Sequence, residues 1–220
     1  MKTALVTGAA RGIGLAAATR FLEEGWRVLM LDRDGETLSA AHRALGSNAA
    51  HALVADVSRA EDCARAAAEA EALGGLDALV NNAGIAEFRP ILETTPEAWR
   101  EIMSVNLDGP FMMTNACAPL LAKAKGAVVN IGSISGLRAS TLRAAYGTSK
   151  AALAHLTRQQ AVELAGIGVR ANLVAPGPVE TAMAAKVHTP AIRRDYRDAI
   201  PLGRYGGEAE LAAAIFWLCS

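Results

Sequence analysis

A phenol and an ammonium four residues apart can do acid–base chemistry, and this chain carries such a pair in Tyr146-Gly147-Thr148-Ser149-Lys150. If the segment from Tyr146 to about Ala165 is helical, the spacing puts both groups on one face. The ammonium and the helix N-terminus would each favour phenolate, lowering a pKa that is otherwise about 10. A tyrosine so tuned can exchange a proton with an alcohol near neutral pH. Ser133, at the end of an apolar run, could hydrogen-bond the substrate oxygen. Taken alone the pair is an easy coincidence, so its meaning rests on its surroundings.

A second constellation lies near the N-terminus, in Thr7-Gly8-Ala9-Ala10-Arg11-Gly12-Ile13-Gly14. Glycines between a strand and a helix permit positive φ and let main chain approach a pyrophosphate, whose charge a helix N-terminus favours. The spacing is GxxxGxG, not the common GxGxxG fingerprint. Asp32 ends the next apolar run. A carboxylate there can accept hydrogen bonds from both adenosine ribose hydroxyls and would repel a 2′-phosphate, which favours NAD over NADP. Arg33 directly after it, and Arg11 inside the turn, are the counter-signal: either could pair with that phosphate.

These groups need a frame to bring them together. Short apolar runs at Thr3–Thr7, Arg27–Leu31, His51–Ala55, Leu76–Val80, Gly126–Ser133 and Gly168–Val174 read as strands buried on both faces. Segments such as Gly14–Glu24 and Arg59–Leu73 lie between them, rich in Ala, Glu, Arg and Leu at helical spacing, and Gly25 and Gly74-Gly75 stop them. Thr95-Pro96-Glu97 supplies a cap, a first-turn proline and an acidic first turn. The alternation predicts an α/β fold: one doubly wound parallel sheet with helices on both faces, Rossmann-like, in a single domain spanning residues 1–220. In such a sheet ligands gather beyond the carboxyl ends of the strands, and most of the motifs follow a predicted strand end.

Composition excludes several function classes. Lys plus Arg and Asp plus Glu both number 22, so no global field attracts nucleic acid or anionic membrane, and no basic-aromatic pattern supports nucleic-acid binding. Cys63, Cys117 and Cys219 are widely spaced with no CxxC, and the histidines are scattered; neither a disulfide framework nor a metal site is expected. No apolar stretch approaches the roughly 20 residues of a membrane span, and Met1-Lys2-Thr3 leads straight into a strand without a signal peptide. The expectation is a cytoplasmic protein whose partner is a small molecule.

Together these residues resemble the short-chain dehydrogenase/reductase family, in the branch with chains of about 250 residues. Its motifs stand in order: TGxxxGxG at Thr7–Gly14, Asp56-Val57, NNAG at Asn81–Gly84, Asn106, Ser133, YxxxK at Tyr146–Lys150, and Pro176-Gly177 followed by Val179 and Thr181. The resemblance implies that Gly8, Arg11, Gly12, Ile13, Gly14, Asp32 and Arg33, with Tyr146, Lys150, Pro176 and Gly177, border the nicotinamide dinucleotide. Asp56 and Val57 would then bind the adenine, Asn82, Ala83 and Gly84 would flank the adenosine ribose, and Val179 and Thr181 would meet the carboxamide. It further implies Tyr146 as general acid/base, Lys150 on the nicotinamide ribose, Ser133 on the substrate oxygen, and Asn106 anchoring a water that relays protons from Lys150. On its own chemistry Asn106 could instead bond its own helix backbone near Gly109-Pro110.

The expected activity is hydride transfer between NAD and a secondary alcohol or ketone. The alternatives are an NADPH-dependent 3-oxoacyl thioester reductase and a dinucleotide-binding sensor or scaffold without turnover. The family pattern also implies a homo-oligomer, dimer or tetramer, and one further strand after the helix predicted at Leu211–Ser220, which this sequence lacks. Residues 182–205 occupy the place of a substrate lid. Arg193, Arg194 and Arg197 there could receive an anionic substrate or simply form a solvated face. Arg138 and Arg143 lie nearer the predicted chemistry, and His188 and Met183 could line the pocket.

Overall fold

The computed structural model describes residues 1–181, 184–185 and 188–220. Among these residues six strands form a single all-parallel sheet: β1 (Thr3–Thr7), β2 (Arg27–Asp32), β3 (Ala50–Val54), β4 (Ala78–Asn81), β5 (Ala127–Ile131) and β6 (Arg170–Val174), in the order β3-β2-β1-β4-β5-β6. The reversal of strand order falls between β1 and β4, which opens a crevice at their carboxyl ends. Every residue of β1, β4 and β5 is buried. The edge strands differ from the expectation of burial on both faces: β3 alternates, with Val54 exposed, and β6 is half-buried along most of its length. Each has a neighbour on one side only, so less covers it.

Successive side chains on a strand point to opposite faces, and the core divides accordingly. Ala4, Val6, Val28 and Met30 pack with α1 (Gly12–Glu23), α2 (Gly35–Leu45) and the C-terminal helix. Leu5, Leu29, Leu31, Leu79 and Val128 pack instead with α3 (Ala60–Ala72) and α5 (Gly109–Ala124). Among the described residues the order also includes α4 (Pro96–Met103), α6 (Ala144–Leu164) and α7 (Pro190–Ala199). The last helix, α8 (Glu208–Cys219), lies along α1, where Phe216 meets Phe21 edge-on with centroids 5.3 Å apart, and Trp26 joins them.

Thr95 caps α4 as its position before Pro96 predicts, accepting from the Ala98 amide at 3.2 Å. The helix does not then pass smoothly into α5. A π-helical turn, Ser104–Asp108, intervenes and carries Asn106. Such turns insert an extra residue and reorient side chains, often at functional sites.

Candidate active site

At the carboxyl ends of the strands lies a cleft of about 540 Å³. Its walls come from the turns after all the strands: Gly8, Arg11, Gly12 and Ile13 after β1; Asp32 and Arg33 at β2; Asp56 and Val57 after β3; Asn82, Ala83 and Gly84 after β4; Ser133 after β5; and Pro176, Gly177, Val179 and Thr181 after β6. Tyr146 and Lys150 line it from α6. Of the expected catalytic and cofactor-binding residues, Gly14 and Asn106 stand behind the wall rather than on it.

The glycine turn shows why small residues are required. Gly8 has φ +66°, and a Cβ there would lie 2.8 Å from Asn82 Nδ2 and 2.9 Å from Ala83 Cα. A Cβ on Gly14 would fall 2.2 Å from the Gly8 carbonyl oxygen, so this glycine serves the packing of α1 against β1. Gly12, with φ +62°, has only side-chain ends within 4 Å and leaves the mouth of the turn open. Asn82 ties the arrangement together by donating to the Thr7 and Gly8 carbonyls at 2.9 and 3.1 Å. An exposed, positively polarised helix start beside bare main chain suits a pyrophosphate, so the residues present fit a dinucleotide.

Asp32 is held rather than free to swing. Its Oδ2 accepts from the Ala10 amide at 3.2 Å and its Oδ1 from the Asp34 amide at 3.0 Å. Carboxylate oxygens retain further lone pairs for ribose hydroxyls. Arg11, one of the two expected phosphate partners, is instead ion-paired with Asp34. Asp56 accepts from the Ser58 amide and hydroxyl through Oδ1, leaving Oδ2 with no donor among the described residues.

Tyr146 sits in the first turn of α6 and Lys150 one turn on. Lys150 is buried, its Nζ donating to the Ile131 carbonyl at 2.7 Å. Burial pushes its pKa down to about 8. The Tyr146 pKa differs from the expectation that Lys150 lowers it: burial raises the phenol, while the Ser133 hydrogen bond and the Arg143 charge pull it down. The geometry gives the reason. Lys150 Nζ lies 6.0 Å from the Tyr146 ring centroid and is turned to the main chain of β5. Ser133 also accepts from the Ser135 amide at 3.1 Å, which orients its hydroxyl.

Asn106 does not bond its own helix. Its Oδ1 accepts from the Ile85 amide, and its Nδ2 donates to the Ile85 carbonyl, both at 2.9 Å, and to Ser149 Oγ at 3.0 Å. Both amide donors are therefore spent on the wall of the cleft and the helix carrying Lys150, and only acceptor capacity remains for a water. Behind it runs a fully buried amide chain that sequence reasoning missed. Asn81 Nδ2 donates to Asn130 Oδ1 at 2.9 Å, and Asn130 Nδ2 donates to Thr157 Oγ1 and Gln160 Oε1 at 2.8 Å each. Asn81 and Asn130 are register partners on β4 and β5, a fact only the pairing reveals.

Other residues at the site were also missed. Phe88 faces the Tyr146 ring edge-on with centroids 6.1 Å apart, and Tyr196 reaches the cleft from α7. Phe88 had no signal, lying in a loop without periodicity; Ile192 and Tyr196, at i and i+4, mark a half-buried helix face. Of the lid candidates, His188 lines the cleft and Met183 lies outside the described residues. Arg193 is paired with Glu180 at 3.0 Å, Arg194 and Arg197 are exposed, and Arg138 is exposed away from the cleft.

Comparison with known proteins decides the family. A family model described as Enoyl-(Acyl carrier protein) reductase matches residues 8–220. A solved structure named short-chain dehydrogenase/reductase SDR:Glucose/ribitol dehydrogenase, from Brucella melitensis, superposes with a TM-score of 0.95 at 35% identity, over 100% of this chain and 89% of that one. The chain belongs to the short-chain dehydrogenase/reductase family. Galactitol 2-dehydrogenase (L-tagatose-forming) of Cereibacter sphaeroides, another relative, is 42% identical over 99% of this chain and 87% of its own length. A 3-ketoacyl-(acyl-carrier-protein) reductase from Brucella melitensis, solved with NADH, superposes with a TM-score of 0.93 at 31% identity, covering 100% and 91% of the two chains. As a short-chain dehydrogenase/reductase, the protein is a nicotinamide-dependent oxidoreductase acting on alcohols or ketones.

Proposed function

We propose that this enzyme is an NAD-linked secondary alcohol dehydrogenase in which Tyr146 is the general acid/base. The carrying observation is the placement of Tyr146, Ser133 and Lys150 on one cleft with the glycine turn and Asp32. A bound nicotinamide supplies the hydride acceptor. Ser133 Oγ donates to the substrate oxygen and holds it against Tyr146. Tyr146 Oη takes the hydroxyl proton as the carbinol carbon loses hydride, and the alcohol becomes a ketone. Lys150 holds the nicotinamide ribose and passes the proton on. Asn106 positions the Gly84-Ile85 wall and α6 and offers acceptors to a relaying water.

The remaining roles follow the cleft. Gly8, Gly12, Ile13, Gly14 and the start of α1 receive the pyrophosphate, with Arg11 on the border of the site; Asp56 and Val57 receive the adenine; Asn82, Ala83 and Gly84 flank the adenosine ribose; Val179 and Thr181, after the Pro176-Gly177 turn, meet the carboxamide. All belong to one domain over residues 1–220, with 182–205 as its lid. The preference for NAD over NADP is supported by the Asp32 carboxylate on the cleft wall, held by the Ala10 and Asp34 amides, and by the engagement of Arg11 with Asp34. Arg33 on the cleft wall supports the second reading, an NADPH-linked oxoacyl reductase, and the cofactor comparison separates the two.

The test is a panel of secondary alcohols and ketones assayed by reduced-cofactor absorbance with NAD and NADP in parallel. Turnover with NAD at higher kcat/KM is expected; a preference for NADP transfers the assignment to the second reading. Asp32→Asn removes the charge while keeping the shape. It should weaken NADH binding by about tenfold and narrow the gap to NADPH, as charge-assisted hydrogen bonds of about 1.5–3 kcal/mol are lost.

A further inference from the structure

Arg143 stands three residues before Tyr146, half-buried on the cleft wall. Its guanidinium stacks over Phe88 with Cζ 4.5 Å from the ring centroid, and Phe88 in turn faces Tyr146. Its donors meet only neutral acceptors: Nη1 the Thr141 carbonyl at 3.1 Å and Ser140 Oγ at 3.5 Å, Nη2 the Tyr196 hydroxyl at 3.2 Å. No carboxylate lies within 4.0 Å of it among the described residues, and Ala182, Met183, Lys186 and Val187 carry none. Arg11, Arg193 and Arg204 contrast with it, each ion-paired to Asp34, Glu180 and Glu210. The neighbouring His188 does not compensate the charge; burial first, then the Arg143 and Arg193 charges, hold its imidazole toward the neutral form.

A half-buried cation without a counter-charge loses hydration that neutral acceptors and a ring face replace only in part, and a charged partner would replace more of it. The planar fork of a guanidinium, preset by stacking on an aromatic ring, matches a carboxylate in two-point contact. We infer that Arg143 selects the substrate, receiving the carboxylate of a hydroxy acid whose secondary hydroxyl is held at Ser133 and Tyr146. The inference rests on the dehydrogenase reading for which atom reacts, but not for which group binds. It moves the anion site from α7, where Arg193 is already neutralised, to the residue beside the proton-transfer group.

Calorimetric titration into the enzyme–NADH complex tests the inference without turnover, since an alcohol cannot react with the reduced cofactor. The probes are 3-hydroxybutyrate, 4-hydroxypentanoate and their methyl esters, which keep the shape and remove the charge. At least one acid should bind wild type about tenfold or more tighter than its ester. Arg143→Met, which keeps an apolar stem over Phe88, should erase that ratio, and Arg143→Lys should restore part of it. Equal affinities for acid and ester, no binding of either acid, or a preference that survives in Arg143→Met overturns the inference. Parallel assays with NAD separate the two claims. An acid preference in binding with no oxidation of any probe leaves Arg143 assigned and sinks the reading that the hydroxyl of a bound hydroxy acid is the group oxidised; oxidation of alcohols without acid preference does the reverse.

Discussion

Lys150 sets the most exposed test at the scale of a single residue. Its ordinary pKa of 10.5 falls to about 8 through burial, so the folded state disfavours the ammonium. Below pH 8 folded and unfolded chains both hold the proton, and the buried charge costs the fold on the order of 3 kcal/mol. Between about 8 and 10.5 the unfolded chain still binds a proton that the folded one has shed, so stability rises with pH. Urea unfolding of wild type and Lys150→Met across this range should show wild type gaining on the variant; parallel curves would refute the burial argument. The same titration favours alcohol oxidation in alkali, since a deprotonated centre accepts the substrate proton. Initial rates of oxidation should climb through about pH 8, and a flat profile would count against a proton relay through Lys150.

Elements, rather than residues, hold the site in register. A Cβ on Gly14 would meet the Gly8 carbonyl oxygen at 2.2 Å, so α1 would have to lift from β1. Gly14→Ala should therefore cost more than the roughly 1–3 kcal/mol typical of overpacking and weaken NADH binding with it. Gly166→Ala, with nothing within 4 Å of its Cβ, should be near neutral by the same thermal melt. Ile215 of α8 is fully buried in the cluster that α1 forms with the sheet. Ile215→Ala should lose about 2–5 kcal/mol in urea unfolding; a loss under 1 kcal/mol would mean that α8 packs loosely.

Much of this element layer was legible in the sequence. Thr3–Thr7 is a strand with its expected ends, and Thr95-Pro96 starts α4 where its cap chemistry requires. The other strands fall within a few residues of their apolar runs, because a buried parallel strand has no polar alternation to mark its ends. The π turn was not legible, since a single inserted residue leaves no periodic trace in so short a stretch. Nor was the Asn81–Asn130–Gln160 chain, which depends on strand register and on which face of α6 points inward. The site motifs were legible because each follows a strand end. What escaped was direction: Arg11 turns to Asp34, Lys150 turns to Ile131, and Asn106 turns to Ile85.

At the scale of the whole molecule the fold is a device for bringing six strand ends to one cleft. A dinucleotide lying across the crevice between β1 and β4 would touch both halves of the sheet and bind only the folded state. NADH at about one hundred times its Kd should then stabilise the protein by about 2.7 kcal/mol. The shift should be the same in Tyr146→Phe, which removes one oxygen and no packing. The sheet's other notable feature is its open β6 edge, half-buried and with no strand beyond it among the described residues.

The central claim is that Tyr146 moves the proton in a cleft that binds nicotinamide independently of it. Tyr146→Phe, measured for NADH affinity and for single-turnover oxidation of the best alcohol, tests it most directly. The Kd should be unchanged and turnover should fall by a factor of roughly 10²–10⁴, the usual contribution of a positioned general acid/base. Turnover within a few-fold of wild type, with NADH still bound, would contradict it.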